Sequence, residues 1–169
     1  MPNIPPEILE SKIEGLNLDS DTLKGLTRDK RVLLVFLRHL GCIFCPEIVR
    51  DLRQIALNNS NYPEIVFFYQ GTLDQGKAFF KKIWPEAKAI SDSSKKFYNA
   101  FKLKRGTISQ LFGQKVWVRG TEAMIKGNFV GLPVGDLWTM PGMFLIENGS
   151  IVWQHEFEHI GDHPDLSGL

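Results

Sequence analysis

The chain has 169 residues, of which 43% are hydrophobic and 23% are charged. These values are ordinary for one globular domain with its own core. The net charge is +1, from 20 basic and 19 acidic residues, so the composition excludes the strongly basic surfaces that bind nucleic acids or anionic membranes. No apolar run approaches the length of a membrane span, and the N-terminus lacks the features of a secretory signal. We therefore expect a cytoplasmic protein without nucleic-acid or membrane partners.

The N-terminal segment is the hardest part of the sequence to interpret. Pro5 and Pro6 precede EILESKIEGL, whose apolar residues suit a short helix. The run Asp19-Ser20-Asp21 could cap a further helical turn. We predict a helical extension at residues 1–30, followed by the main domain at residues 31–169.

The stretch RVLLVFLRHLGCIFCPEIVRDLRQIAL, residues 31–57, organises the rest of the chain. Its first part is a continuous apolar run, which predicts a strand buried on both faces. After Gly41 the apolar residues recur every three or four positions, which predicts an amphipathic helix. Pro46 suits the first turn of that helix, where the amide it lacks would have no intrahelical partner.

Both cysteines of the chain, Cys42 and Cys45, lie where this strand gives way to the helix. A helix N-terminus carries unpaired N–H groups and a partial positive charge, which favour a thiolate over a thiol. Cys42 precedes the helix and faces these amides, whereas Cys45 is one turn further in, beside apolar residues. The spacing predicts a redox pair in which Cys42 attacks and Cys45 resolves. An inert buried pair and a zinc half-site are the alternatives.

The following segments alternate between strands and helices. Strands are predicted at residues 65–69 and 88–90, and helices at residues 71–84 and after the capping sequence Ser91-Asp92-Ser93. This alternation predicts parallel strands with right-handed crossovers. Residues 104–135 are a basic insertion of helix or loop near the site, whose internal boundaries the sequence leaves open.

The C-terminal part of the chain carries a hairpin signal. Two apolar runs, residues 143–146 and 151–153, flank Asn148-Gly149, a dipeptide typical of hairpin turns. The sheet is therefore predicted to be mixed, with parallel strands in the middle and an antiparallel hairpin.

Four segments, in this order, carry a resemblance to known proteins: LRHLGCIFCPE, SDSSKKFYNAFKLKRG, GLPVGDLWTMPGMFLIENGSIVWQH and HIGDHPDL. They resemble the thioredoxin-like superfamily, and within it the peroxiredoxin-like family of the AhpC/TSA and selenoprotein U-like type. The resemblance implies an α/β thioredoxin-like fold: a central mixed β-sheet flanked by helices, with a helical insertion before the C-terminal β-hairpin. It also implies that Cys42 lies nearer solvent and that Cys45 is more buried.

The same resemblance implies an antioxidant thiol-disulfide oxidoreductase that cycles its two cysteines between dithiol and disulfide. We expect no organic cofactor, because the electrons reside on sulfur. The implied partners are a reducing thiol of the thioredoxin or glutathione type and a disulfide or hydroperoxide substrate. The alternatives are a peroxidase that reduces hydroperoxides through a sulfenic acid and a redox-sensing or binding module without turnover.

The segment Cys45-Pro46-Glu47 also resembles the residues that follow the peroxidatic cysteine of true peroxiredoxins. That alignment would move the peroxide-reactive sulfur to Cys45. However, the family pattern P-x-x-x-[TS]-x-x-C is absent. With its cysteine placed at Cys45, its threonine would fall at Cys42, and no proline stands four residues before Cys42. Peroxidase activity is therefore left open by the sequence.

Five further residues are candidates for the surroundings of the cysteines. Arg38 could stabilise a thiolate through its charge at the C-terminal end of the first strand, or form an ordinary surface ion pair. Glu47 is a proton-acceptor candidate, and Trp138 could wall the site. Met140 and Pro141 stand just before the hairpin, where thioredoxin-like proteins carry a cis-proline, so the resemblance implies a cis peptide bond at Pro141.

A set of histidines near the C-terminus could suggest a metal site. His155, His159 and His163 recur every four residues and would form a metal-binding stripe on a helix. However, His155 should end a strand, and Gly161 and Pro164 interrupt helical continuity. We predict no metal site.

Overall fold

The computed structural model describes residues 3–127, 134–162 and 164–169. Its strands are β1 Gly15–Leu16, β2 Arg31–Phe36, β3 Glu64–Tyr69, β4 Lys88–Ser91, β5 Gly142–Glu147 and β6 Ser150–Glu156. They form one sheet in the order β1-β4-β3-β2-β5-β6. Strands β2, β3 and β4 are parallel, whereas β1 pairs with β4, β5 with β2, and β6 with β5 in antiparallel fashion. The predicted mixed sheet is confirmed.

The helices of the described residues are α1 Pro6–Leu9, α2 Leu23–Thr27, α3 Phe44–Asn58, α4 Leu73–Phe80, α5 Lys96–Ala100, α6 Ile108–Phe112 and α7 Gln114–Ile125. Helices α6 and α7 lie within the predicted insertion before the hairpin, which confirms its helical character. Residues 128–133 of that insertion lie outside the described residues. In the part of the chain that the structure describes, no helix is both long and apolar enough to cross a membrane.

Strand β2 is buried on both faces, as its apolar run predicted, because helices cover both sides of the sheet. Successive strand residues point to opposite faces. Leu33 and Val35 therefore pack in the core that contains α3, while Leu34 and Phe36 pack in the core that contains α2 and α5. The ring of Phe36 stacks on that of Phe68, with centroids 4.3 Å apart. These contacts fix the C-terminal end of β2, from which the segment with both cysteines leaves the sheet.

The hairpin of β5 and β6 forms as predicted. Asn148 and Gly149 both adopt positive φ angles, 50° and 75°, as a tight hairpin turn between twisted strands requires. Strand β5 lies beside β2 through its whole length. The residues just before β5 are thereby brought to the end of β2 that leads to the cysteines.

The N-terminal segment contributes more than the predicted helices. Strand β1, which the sequence did not predict, pairs with the edge strand β4. Leu23 and Leu26 of α2 are fully buried in the core beneath the sheet. The division into an extension at residues 1–30 and a domain at residues 31–169 stays an interpretation, and its first two residues lie outside the described residues.

Helix α5 depends on a single buried carboxylate, which confirms the predicted capping sequence. Asp92 is 3% exposed, and its oxygens accept hydrogen bonds from the backbone amides of Lys96 at 2.8 Å, Phe97 at 2.8 Å and Tyr98 at 3.1 Å. An Asp92→Ala variant should lower the free energy of unfolding by about 2 kcal/mol or more, because it leaves buried donors without an acceptor.

Chemical denaturation measures this effect, with Ser93→Ala as the control at a neighbouring exposed position. An Asp92→Ala protein as stable as this control would show that the carboxylate is not what holds α5.

Candidate active site around Cys42 and Cys45

A tight turn carries the chain from the end of β2 into α3. The backbone amide of Cys42 donates to the carbonyl of His39 at 3.0 Å, and that of Cys45 donates to the carbonyl of Cys42 at 3.2 Å. Helix α3 begins at Phe44, so Cys42 lies in the turn and Cys45 in the first helical turn. Pro46 also lies in that first turn, as predicted. Both sulfurs are therefore at the N-terminus of α3.

Both thiols are free, and both cysteines are buried. Cys42 is 5% exposed and Cys45 is 4% exposed. The difference in exposure that the resemblance implied is therefore wrong. The reason is that side chains from distant parts of the chain, among them Phe157 and Ile160, cover the turn as well as the helix.

The two sulfurs nevertheless differ in their electrostatics. The Cys45 thiol donates a hydrogen bond to the Cys42 sulfur, and this bond, together with the Arg38 charge and the Phe44 backbone amide, lowers the pKa of Cys42 to about 6 despite its burial. For Cys45 the same hydrogen bond and burial raise the pKa well above its ordinary value. At neutral pH this arrangement favours a thiolate on Cys42 and a thiol on Cys45.

Arg38 is a buried cation beside Cys42 and not a surface ion pair. It is 6% exposed, and its Nη1 lies 3.9 Å from the Cys42 Sγ. Its Nη2 donates to the carbonyl of Leu137. The backbone carbonyl of Arg38 accepts from Gln70 Nε2 at 2.7 Å. The Leu137 carbonyl thus holds one end of the guanidinium and Gln70 fixes the backbone of Arg38, while Nη1 faces the sulfur.

His39 is a member of this site that the sequence analysis missed. It is 5% exposed, and its Nε2 lies 3.2 Å from Arg38 Nη1. Burial, followed by the Arg38 charge, lowers the pKa of His39 to about 4, so the ring is neutral at pH 7. The signal available in the sequence was a titratable side chain three positions before Cys42. Its contact with Arg38 depends on a loop conformation that no periodicity predicts.

A small cavity adjoins the two sulfurs. Its volume is about 20 Å³, room for about one water-sized molecule. Its walls are mostly apolar and come from β2, α3, the start of β5 and the segment after β6: Val35, Phe36, Leu37, Arg38, Cys42, Phe44, Cys45, Ile48, Pro141, Met143, Phe157 and Ile160. The space admits only a very small molecule, whereas a protein disulfide would need the site to open.

The residues before β5 approach the site, but not in the predicted geometry. Pro141 lines the cavity, and its peptide bond is trans, so the prediction of a cis bond is wrong. The two residues before Pro141 are held extended against the segment after α5. Thr139 forms an isolated antiparallel β-bridge with Arg105, and the amide of Met140 donates to the carbonyl of Lys104 at 3.0 Å. A trans bond is the favoured form for any X-Pro pair.

Met140 and Trp138, the other candidates just before β5, make their described contacts outside the sulfur cavity. Met140 is buried and lines a groove between β5, β6 and the segment after α5, which shares the wall residues Pro141 and Phe157 with the sulfur cavity. Trp138 is 40% exposed, and its carbonyl accepts from the amide of Gly106 at 2.7 Å. Neither side chain belongs to the described lining of the sulfur cavity.

Glu47 connects α3 to the insertion. It is 3% exposed, and its Oε1 accepts from Lys126 Nζ at 2.7 Å and lies 3.6 Å from Arg119 Nη2. These ion pairs hold α7 against the helix that carries Cys45. Its assignment as a proton acceptor stays an untested expectation.

The C-terminal histidines are engaged in local contacts. His155 Nε2 lies 3.2 Å from Asp162 Oδ2, and His159 Nδ1 accepts from the amide of Gly161 at 3.3 Å. Among residues 3–127, 134–162 and 164–169, no three side chains of His, Cys, Asp or Glu are grouped so as to hold a metal ion. His163, the third histidine of the predicted set, lies outside the described residues.

The electrostatics of Cys42 predict a particular pH dependence for its reactivity. Because only the thiolate reacts and its pKa is about 6, the rate of alkylation by iodoacetamide should be nearly constant above pH 7. Below pH 6 it should fall by about tenfold per pH unit. Peptide mass spectrometry of the protein alkylated at each pH identifies the modified residue. A rate that still rises steeply between pH 7 and pH 9 would contradict this prediction.

Several solved peroxiredoxin structures share this fold. Structures of peroxiredoxin Q from Xanthomonas campestris and of a peroxiredoxin Q mutant from Xylella fastidiosa superpose with TM-scores of 0.60 and 0.59, at 12% and 14% identity. The first superposition covers 95% of this chain and 88% of the other, and the second covers 90% and 82%. The reduced Prx3 of Vibrio vulnificus has a TM-score of 0.58 at 15% identity, covering 90% and 83%. The thioredoxin-like fold is confirmed.

Two curated relatives are similar in sequence. Prostamide/prostaglandin F synthase of Xenopus tropicalis is 29% identical over 135 residues, 75% of this chain and 65% of the relative. Peroxiredoxin-like 2C of Homo sapiens is 27% identical over 117 residues, 68% of this chain and 48% of the relative. The chain therefore spans about half to two thirds of the length of these relatives.

The sequence model described as AhpC/TSA antioxidant enzyme matches residues 49–159. This range begins after Cys45, so the match identifies the family without aligning either cysteine. It covers β3 to β6 and most of α3, which is more than half of the chain. The chain belongs to the AhpC/TSA antioxidant enzyme family, as the four resembling segments implied.

Proposed function

We propose that this protein is an antioxidant thiol-disulfide oxidoreductase in which Cys42 attacks and Cys45 resolves. One observation carries the proposal: the buried Arg38 guanidinium lies 3.9 Å from the Cys42 sulfur, and the hydrogen bond between the two cysteines shifts their pKa values in opposite directions, down for Cys42 and up for Cys45. One sulfur is thus prepared as a nucleophile, and the other retains a proton beside it. Membership of the AhpC/TSA family supports thiol redox chemistry of this kind.

With a disulfide substrate the cycle has two exchange steps. The Cys42 thiolate attacks one sulfur of the substrate and forms a mixed disulfide, while the other substrate sulfur leaves as a thiolate and takes up a proton. Cys45 then loses its proton and attacks Cys42, so a Cys42–Cys45 disulfide forms and the second substrate thiol is released. The substrate has gained two electrons, and a reducing thiol of the thioredoxin or glutathione type returns two electrons to the protein.

A specific observation favours small hydroperoxides as a second substrate class. The cavity beside the sulfurs has room for about one water-sized molecule. In this reaction the Cys42 thiolate attacks one peroxide oxygen and the O–O bond breaks. The leaving oxygen takes a proton, and Cys42 becomes a sulfenic acid. Cys45 then attacks the Cys42 sulfur, forms the same disulfide and releases water.

The same chemistry would also serve a redox-sensing module, in which the disulfide forms once and alters the binding of a partner. A cytoplasmic location is part of the proposal, because a reducing compartment supplies the thiol that regenerates the dithiol. The expectations of no nucleic-acid partner and no membrane partner rest on composition.

Parallel assays on the purified protein test the proposal. With dithiothreitol as the thiol donor, hydrogen peroxide consumption and insulin disulfide reduction are measured at equal protein concentration. Turnover with either substrate, lost in Cys42→Ser, supports an oxidoreductase and identifies its substrate class. One disulfide formed per chain without turnover would favour the sensor. Unchanged activity in Cys42→Ser would overturn the assignment of Cys42.

A further inference from the structure

In the hydrogen bond between the Arg38 and His39 side chains, only Arg38 can be the donor. Arg38 Nη1 lies 3.2 Å from His39 Nε2, and a guanidinium has donors only. His39 Nε2 must therefore be the unprotonated, accepting nitrogen of a neutral ring, and the ring proton is on Nδ1. A protonated imidazole at this distance would offer a second donor and a second positive charge.

The contact also lies directly beside the Cys42 sulfur. The same atom, Arg38 Nη1, is 3.9 Å from Cys42 Sγ, so one guanidinium nitrogen faces both the histidine and the sulfur. The other terminal nitrogen, Nη2, donates to the carbonyl of Leu137. Among the described residues neither Arg38 Nε nor His39 Nδ1 has a hydrogen-bond partner. The orientation of this buried cation thus depends on the Leu137 carbonyl on one side and on the imidazole on the other.

We propose that neutral His39 is a positioning residue, which accepts from Arg38 Nη1 and so holds the guanidinium against the Cys42 sulfur. The inference rests on the proposed function only in taking Cys42 as the reacting sulfur. The backbone of His39 contacts the Cys45 sulfur, but its imidazole is assigned no contact with substrate or with either sulfur. It acts through Arg38, whose charge is worth most when it is desolvated and close to the thiolate.

The backbone of His39 has a separate task, which lets the side chain be tested on its own. The His39 carbonyl accepts from the amide of Cys42 at 3.0 Å, and a substitution of the side chain leaves this bond in place. His39→Leu removes the acceptor within a similar volume. His39→Gln retains a carbonyl oxygen that can occupy the place of Nε2. Arg38→Met removes the cation through which His39 is proposed to act.

The experiment measures the apparent pKa of Cys42 from the pH dependence of its alkylation by iodoacetamide, followed by peptide mass spectrometry. We expect His39→Leu to raise this pKa by about one unit, which lowers the alkylation rate at pH 5 by about tenfold, with little change above pH 9. In His39→Gln the pKa of Cys42 should return most of the way to its wild-type value, because the glutamine oxygen can accept from Arg38 in place of Nε2. In an Arg38→Met background His39→Leu should cause no further shift, because the cation it positions is absent.

Either of two results would overturn the proposal: an unchanged Cys42 pKa in His39→Leu, or equal shifts from His39→Leu with and without Arg38. The second would show that the histidine acts on the sulfur independently of Arg38. If His39→Leu does not fold, as thermal denaturation would show, His39→Ala in both backgrounds gives the same comparison. Alkylation needs no turnover, so a protein that reduces neither peroxide nor disulfide can still show the shift, and the two proposals fail separately.

Discussion

A Cys42→Ser variant is expected to lose disulfide exchange and peroxide reduction, with rates lower on the order of a thousandfold or more. The hydroxyl that replaces the thiol does not ionise near neutral pH, so the hydrogen bond from Cys45 and the Arg38 charge have no anion to stabilise. The remaining Cys45 is a poor replacement, because its burial still raises its pKa even though the Cys42 sulfur no longer contributes to that shift. Steady-state rates with hydrogen peroxide and with insulin measure the loss.

Cys45→Ser is the matched control, because it removes the second sulfur and retains a hydroxyl donor beside Cys42. It should still react once and accumulate a mixed disulfide or a sulfenic acid on Cys42, since no resolving thiol is present. The alignment with true peroxiredoxins instead makes Cys45 the sulfur that reacts with peroxide. If Cys42→Ser forms a sulfenic acid on Cys45 with peroxide, the roles assigned here are wrong.

Arg38→Met should have the second largest effect. It removes a buried cation 3.9 Å from the Cys42 sulfur while keeping an unbranched side chain. An opposite charge at such a distance typically shifts a pKa by about one to three units. We therefore expect the pKa of Cys42 to rise by at least about one unit and its reactivity at pH 6 to fall several-fold. The pH dependence of thiol alkylation reports both quantities.

Arg38→Lys is the informative companion to this variant. Lysine keeps the charge, but it cannot reach the Leu137 carbonyl and the sulfur with two separate nitrogens. We expect a shift smaller than that of Arg38→Met. A Cys42 pKa that is the same in the wild type, Arg38→Met and Arg38→Lys would show that the guanidinium does not stabilise the thiolate.

Those elements of the fold with strong local patterns could be predicted from the sequence. The apolar run of β2, the three-and-four spacing of α3 and the Asn148-Gly149 turn each specify their structure within a short window. Strand β1 could not be predicted, because two residues, Gly15 and Leu16, are too few to show a period. It is a strand only because the edge of β4 is available to it.

The reactive groups of the candidate site could be predicted from the sequence, but the residues that surround them could not. Two cysteines and a nearby arginine are visible in one short stretch of sequence. By contrast, the carbonyl that holds Arg38 belongs to Leu137, 99 residues away, and Phe157 closes the cavity from the segment after β6. Contacts over such separations depend on the tertiary fold, which is why the burial of Cys42 and the trans bond at Pro141 differed from expectation.

The central claim is that Cys42 and Cys45 form a disulfide with each other inside one chain. Intact-protein mass spectrometry after a limited dose of hydrogen peroxide or a small disulfide, with alkylation of the remaining thiols, tests it most directly. We predict a monomer that has lost two hydrogens and takes up no alkylating reagent, with Cys42 and Cys45 joined in one peptide. Two thiols that remain alkylatable, or disulfides found only between chains, would contradict it.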